Sequence, residues 1–354
     1  VILKVSDPSG DPVEVTGMRL DDVVKLIKGP KGTNVILNVK RVDGTVNDVN
    51  IVRDIVELEE SYAKASIIKK NEINYGLIYL PKFYVDFKSY NERNAANDVK
   101  KLIIQLKNEK INGLVLDLRD NGGGSLQTVV DITGYFIKTG PVVQVKSTGG
   151  KKQVLRDRDP SVIWNGPLVV LVNELSASAS EILAAALQDY NRAIVIGSKQ
   201  TFGKGTVQNV VDLNKIIAGN SYGNLGALKL TTDKFYRING GSTQLEGVKS
   251  DIIFPNRYSF IEIGEKDQEN PLPWDFIGSA QFSPADTKNN FEYVQNESNK
   301  RIVSNTYLNL LKEEAKWVKE QQLSLIHISE TTRRRGNSYA DFCMKKKMGG
   351  GGGG

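Results

Sequence analysis

Ser178 stands where residues 168–187 pass from an apolar run, through Asn173-Glu174-Leu175-Ser176-Ala177, into an alanine-rich helical stretch. A strand-to-helix junction lifts a side chain off the sheet end and aims unpaired helix N-terminal amides at whatever binds there, which suits a developing oxyanion. Ser178-Ala179-Ser180-Glu181 also reads as a capping box, the commoner use of Ser-x-x-Glu. A nucleophilic serine needs a base, and the residue counts narrow the choice. The chain has one histidine and one cysteine, His327 and Cys343, so residues 1–322 contain neither. Ser-His-Asp triads, cysteine nucleophiles, disulfides and Cys/His zinc sites are thereby excluded from that stretch.

Lysine remains as a base. Lys204 lies in Thr201-Phe202-Gly203-Lys204-Gly205-Thr206-Val207-Gln208, after a strand-like run at 193–196. It can accept a proton only when neutral, which requires its pKa of about 10.4 to be lowered by burial. Phe202 and Val207 supply apolar neighbours, and Gly203 and Gly205 let backbone close around the amine. Gln208 orients the amine without adding negative charge. The bland alternative is a glycine turn with a solvated lysine. A phosphate loop fails on spacing, and Gly205 stands where Ser or Thr belongs.

A third stretch, Leu116-Asp117-Leu118-Arg119-Asp120-Asn121-Gly122-Gly123-Gly124, ends a strand-like run. Consecutive glycines let an amide point into a cleft. The functional reading is half of an oxyanion hole at Gly123 and Gly124, with the amide of Ala179 as the other half. The alternative is a flexible turn.

Elements must bring these stretches together. Apolar runs at 76–80, 114–118, 142–145, 168–172 and 193–196 alternate with helical patterns at 94–109, 126–137 and 178–190. Such alternation predicts an α/β fold whose sheet is covered on both faces. A hairpin is expected around Asn71-Glu72. Upstream, Leu20, Val23, Val24 and Ile27 share one face of a helix stopped by Gly29-Pro30. Residues 290–322 read as helix after a polar, proline-punctuated connector.

The motifs around 117–124, 176–182 and 202–208 occur in the order and approximate separation of the tail-specific (carboxy-terminal processing) proteases, which the chain resembles from residue 1 to about 322. The resemblance continues through Lys234-Phe235-Tyr236-Arg237, Gly240-Gly241-Ser242-Thr243-Gln244, Asp251-Ile252-Ile253-Phe254-Pro255 and Leu272-Pro273-Trp274-Asp275. It implies Ser178 as nucleophile, Lys204 as general base and Gln208 as its positioner, with Ser176 and Ser180 bystanders. Glu181, Asp189 and Thr201 match positions that support the site in the family. It also implies a crotonase-like, spiral α/β peptidase core at 58–256, a partial PDZ domain at 1–57 lacking its N-terminal half, and a connector with a helical C-terminal region at 257–322. Between Gly197 and Phe202 this chain has one residue more than close members of the family. The implied function is a serine endopeptidase that needs no metal or organic cofactor, recognises proteins with apolar C-terminal tails, works with a possible adaptor protein and has a periplasmic address.

Residues 323–354, with an arginine triplet, a lysine triplet and terminal glycines, read as a non-native, adapter-like tail. Setting aside their six basic and two acidic residues lowers the net charge from +6 to +2, which leaves no electrostatic footprint for nucleic acid. The absence of a start methionine is expected to reflect truncation. Apolar runs are far shorter than the roughly 18 residues of a membrane span. Two alternatives stay open: a noncatalytic PDZ-type peptide-binding protein, and a Ser/Lys amidase acting on a nonpeptide substrate.

Overall fold

The computed structural model describes residues 1–8, 10–54, 59–86, 89–90, 92–217, 223–284 and 291–321, so the expected foreign tail at 323–354 lies outside the described residues. The chain divides into two units, Val1–Glu59 and Glu60–Gly354.

The first unit contains β1 (Ile2–Ser6), β2 (Val13–Glu14), α1 (Leu20–Ile27), β3 (Asn34–Lys40) and β4 (Val46–Val52). Its strands form an antiparallel sheet in the order β2-β1-β3-β4. Val5, Val15, Val23, Val35 and Leu37 make its core, with Leu26 and Ile27 packed against them. The helix spans the expected residues, but its buried stripe is rotated: Leu20 is exposed and Leu26 takes its place. Arg53 satisfies the orphan carbonyls at the helix end, donating from Nε to Ile27 O at 2.8 Å and from Nη2 to Leu26 O at 3.3 Å.

The second unit begins with β5 (Lys64–Lys70) and β6 (Ile73–Tyr79), joined as expected through Asn71 and Glu72, whose φ values of 49° and 63° suit the twist of a tight hairpin. Then follow α2 (Ala95–Asn108), β7 (Gly113–Asp117), α3 (Leu126–Gly134), β8 (Gly140–Ser147), β9 (Lys152–Asp157), β10 (Leu168–Val172), α4 (Ala179–Asp189) and β11 (Ile194–Gly197). After these come β12 (Thr206–Asp212), α5 (Leu213–Ile216), β13 (Ala227–Tyr236), β14 (Ile252–Ile253) and α6 (Phe291–Ser304). The fold is mixed α/β. Its main sheet runs β14-β11-β10-β7-β6-β5 and is parallel except for β5. Leu116, Val170 and Val195 lie in the core of this sheet with Val99, Ile103, Ile132 and Leu183 from the helices.

A second, antiparallel sheet runs β12-β13-β8-β9. Of its strands only β8 was expected. Val210, Leu228 and Leu230 are exposed on the β12–β13 ribbon, so the ribbon carries no continuous apolar face to mark it in sequence. The single C-terminal helix expected at 290–322 is two: α6 ends at Ser304, and a new helix covers 306–321. Asn305 makes the break, its Oδ1 accepting from Leu308 N at 3.1 Å in the manner of an N-cap. Among the described residues no helix is long and apolar enough to cross a membrane.

Candidate active site

The serine of the strand-to-helix junction is held in a backbone conformation that few residues adopt. Ser178 caps the N-terminus of α4 with φ 58° and ψ −112°, outside the common wells for an L-residue and costing about 1–3 kcal/mol. Surrounding bonds hold it there. Ala177 N donates to Asn121 O at 3.0 Å, and Ser178 N donates to Glu181 Oε2 at 2.8 Å, the glutamate half of the expected capping box. The flanking serines are committed elsewhere: Ser176 Oγ donates to Leu118 O and Ser180 Oγ to Asn121 O, both at 2.8 Å.

Ser178 and Lys204 line one cavity of about 220 Å³ together with Ala179, Gly124, Gln208 and Lys229. Lys204 Nζ donates to Gln208 Oε1 at 3.2 Å. Burial lowers the Lys204 pKa, the positive charge of Lys229 lowers it further, and Glu265 and Glu181 pull the other way. Lys229 comes from β13, in the ribbon that sequence reasoning did not recognise, so only pairing of β13 with β12 brings it to the site.

Glu181 is fully buried and its carboxylate accepts four hydrogen bonds. Oε1 takes the Thr201 hydroxyl at 2.6 Å and Gly203 N at 2.7 Å; Oε2 takes Ser178 N at 2.8 Å and Lys204 N at 3.0 Å. One carboxylate therefore ties the serine turn to the lysine loop. Burial pushes its pKa up to about 7 against the downward pull of these donors. Thr201 is locked in turn, accepting from Val248 N at 2.8 Å. Sequence reasoning missed the outer supports of the loop. Thr243 Oγ1 donates to Lys204 O at 3.1 Å, and buried Gln244 accepts from Gly205 N at 2.8 Å. Ahead of Phe202, Gln200 bridges to Lys249.

One expectation is corrected. Gly123 was assigned an oxyanion-binding amide, but its N–H donates to Asn121 Oδ1 at 2.9 Å because the asparagine side chain folds back over the turn. Its lack of a side chain is what matters: at φ 104°, an added Cβ would lie 2.8 Å from Ser178 Cβ. The amides of Gly124 and Ala179 have no acceptor among the described residues. Gly124, at φ 145°, lies so close to Phe83 that an added Cβ would meet its carbonyl oxygen at 2.2 Å. Asp189 lies well away from the cavity. It ends α4, about 16 Å from Ser178 by helical rise, and binds Arg237 at 2.6 Å and 3.1 Å and Asn239 at 2.9 Å. It braces the far end of the helix that carries the serine and touches nothing in the cavity.

The arrangement offers a serine hydroxyl at a strained turn, an amine with a lowered pKa in the same cavity, and two unpaired amides beside them. No group of acidic, histidine or cysteine side chains suited to a metal occurs among the described residues.

Comparison with known proteins gives two family matches. Residues 74–254 match the model of peptidase family S41, and residues 258–342 match the C-terminal domain of tail specific protease, a match that extends beyond residue 323. The tail-specific protease of Haemophilus influenzae is 43% identical over 299 residues, covering 84% of this chain and 41% of that protein. The carboxy-terminal-processing protease of Bartonella bacilliformis is 34% identical over 299 residues, covering 80% and 63%. The chain thus spans less than two thirds of the length of either relative. Among solved structures, the photosystem II D1 C-terminal processing protease is similar at 26% identity and a TM-score of 0.46, covering 72% of this chain and 62% of that one. The PDZ domain of a carboxy-terminal protease from Vibrio cholerae is 47% identical over 15% of this chain and 56% of its own, with a TM-score of 0.14.

Proposed function

This chain belongs to peptidase family S41, and from that membership we propose that it is a serine endopeptidase in which Ser178 is the nucleophile and Lys204 the general base. The observation that carries the proposal is the shared cavity, where strained Ser178 and Lys204 with its lowered pKa meet. Neutral Lys204 takes the Ser178 proton as Oγ bonds to the carbonyl carbon of a peptide. The oxyanion rests on the amides of Ala179 and Gly124, with Gly123 providing clearance. The C–N bond then breaks, and the Lys204 ammonium gives its proton to the departing amine. In the second half a water loses a proton to Lys204, attacks the ester carbon, and Ser178 recovers its proton. Gln208 orients the amine; Glu181 and Thr201 hold the serine turn and the lysine loop in register, while Asp189 acts as a remote brace.

The same reading takes residues 1–57 as part of a PDZ domain, 58–256 as a crotonase-like, spiral peptidase core and 257–322 as a connector and helical region. Its substrates are proteins with apolar C-terminal tails, presented with or without an adaptor, and its compartment is the periplasm. Degradation of an unfolded protein with an apolar tail by the parent, by Ser178→Ala and by Lys204→Ala tests it, with circular dichroism to establish folding. Cleavage by the parent alone is expected. Cleavage surviving in both variants refutes the dyad, and saturable binding without turnover by the folded parent favours the noncatalytic alternative.

A further inference from the structure

At the opposite end of α4 from Ser178 lies a second cavity, of about 590 Å³, within the roughly 300–1,000 Å³ of ligand sites. Its walls are largely apolar, including Phe136, Ile137, Val162 and Phe282, and Tyr190 meets Phe282 edge-on with ring centroids 5.4 Å apart. Its charged lining is Lys138, Arg156 and Arg192, with no carboxylate lining it among the described residues.

Arg192 is only 8% exposed, and a buried guanidinium ordinarily sits on a carboxylate. Here Nε donates to Phe136 O at 3.0 Å, and Nη2 to Trp164 O at 2.7 Å and Gly166 O at 2.9 Å. These three carbonyls fix the guanidinium plane without neutralising it, and Nη1 has no acceptor among the described residues. Burial holds the Arg192 pKa below its ordinary value, yet an arginine remains charged. Asp157, next to Arg156 in β9, is near enough to help burial raise the pKa of Tyr190, but it is not among the lining residues and is not a cause of the Arg192 shift, which comes from burial. An apolar chamber holding a fixed cation, with Lys138 and Arg156 also lining it, lacks an anion with an apolar body.

We propose that this cavity binds the free C-terminal carboxylate of a peptide whose last residues are apolar, separately from both the catalytic cavity and the first unit. The choice of a peptide as the source of the carboxylate rests on the peptidase reading; the cavity's chemistry does not. The carboxylate sits on Arg192 with support from Lys138 and Arg156, and the terminal side chains occupy the space between Val162 and Phe282. A processive or product-retaining peptidase gains from such a pocket, because each cleavage creates a new C-terminus.

The test uses the full chain carrying Ser178→Ala, so that binding is read without turnover, and an apolar hexapeptide with a free carboxylate and a benzophenone residue at its penultimate position. Photocross-linking and mass spectrometry then locate the peptide end. Labels are expected at Ile137, Val162 or Phe282, reduced about tenfold or more when the terminal carboxylate becomes an amide. A similar reduction is expected in Lys138→Glu/Arg156→Glu and in Val162→Asp, substitutions away from the catalytic cavity whose folding is checked by circular dichroism. Labels confined to residues 1–54 or to the Ser178 cavity overturn the proposal, as do equal labels from acid and amide. Stronger competition by octanoate than by unlabelled peptide also overturns it, by making the occupant a lipid acid. Because the readout needs no hydrolysis, failure here leaves the dyad untouched, and loss of the dyad leaves this result standing.

Discussion

Replacing Glu181 by glutamine keeps the side chain's shape and converts one acceptor oxygen into a donating nitrogen. With the nitrogen in place of Oε2, the N–H groups of both Ser178 and Lys204 lose their acceptor; in place of Oε1, the Thr201 hydroxyl can turn to accept but Gly203 N–H is stranded. The second orientation is the cheaper. One stranded buried donor costs about 1–3 kcal/mol, so Glu181→Gln is expected to lower the unfolding free energy by that amount and to lower kcat at least about tenfold with KM little changed, since binding groups stay in place. The pH dependence carries a second signature. Burial raises the Glu181 pKa from 4.5 to about 7, so between these values the folded chain holds a proton that the unfolded chain has released. That contribution is fully present below pH 4.5 and is lost as pH rises through about 7. At about 1.4 kcal/mol per pH unit it amounts to roughly 3 kcal/mol. Denaturant unfolding at pH 5 and pH 8 should therefore show the parent's advantage over the glutamine variant shrinking at the higher pH. Parent-like stability and kcat in Glu181→Gln would refute the clamp, and a gap independent of pH would refute the account of its burial.

On the proposed mechanism Lys204 must be neutral to accept the serine proton, so kcat/KM is expected to rise with pH through its pKa; Lys229→Glu replaces a repelling charge by an attracting one and should move that rise to higher pH, whereas an unmoved profile separates Lys229 from the base. Gly124→Ala drives a Cβ to 2.2 Å from the Phe83 carbonyl oxygen and should lower both Tm and activity, while Gly122→Ala, with open space at its Cβ, should be tolerated; equal effects would contradict the packing. Asp189→Ala leaves Arg237 largely buried without its partner, at a cost of about 3–5 kcal/mol, and should lower Tm while sparing kcat/KM per folded molecule. A selective loss of kcat with Tm unchanged would return Asp189 to the chemistry.

The parts of the molecule legible in sequence were those whose burial is continuous. Runs such as Leu168-Val169-Val170-Leu171-Val172 are apolar because parallel strands are covered on both faces, and α1, α2 and α4 announce themselves through periodicity and caps. Ser178 and Lys204 stand out because no histidine or cysteine competes with them in residues 1–322. What stayed hidden depends on side chains turning in space. Two signals were there but weak: an asparagine can take up the amide two residues on, as Asn121 does with Gly123, and a helix over 178–190 carries Asp189 about 16 Å from Ser178. Lys229 and Gln244 reach the base loop only through the antiparallel ribbon and the following turns, whose exposed faces have little sequence signature.

Ser178 follows Gly124 by 54 positions and Lys204 follows Ser178 by 26, and the bonds that join these stretches run between the ends of different strands. No local segment can assemble part of the site in advance. The serine turn leans on Asn121, the lysine loop on Thr243 and Gln244, and the two on each other through Glu181, so the chemistry appears only when the parallel sheet has closed. Contacts so distant in sequence form late in folding. A centre built this way is silent in its own unfolded chain and can act only once that chain is folded.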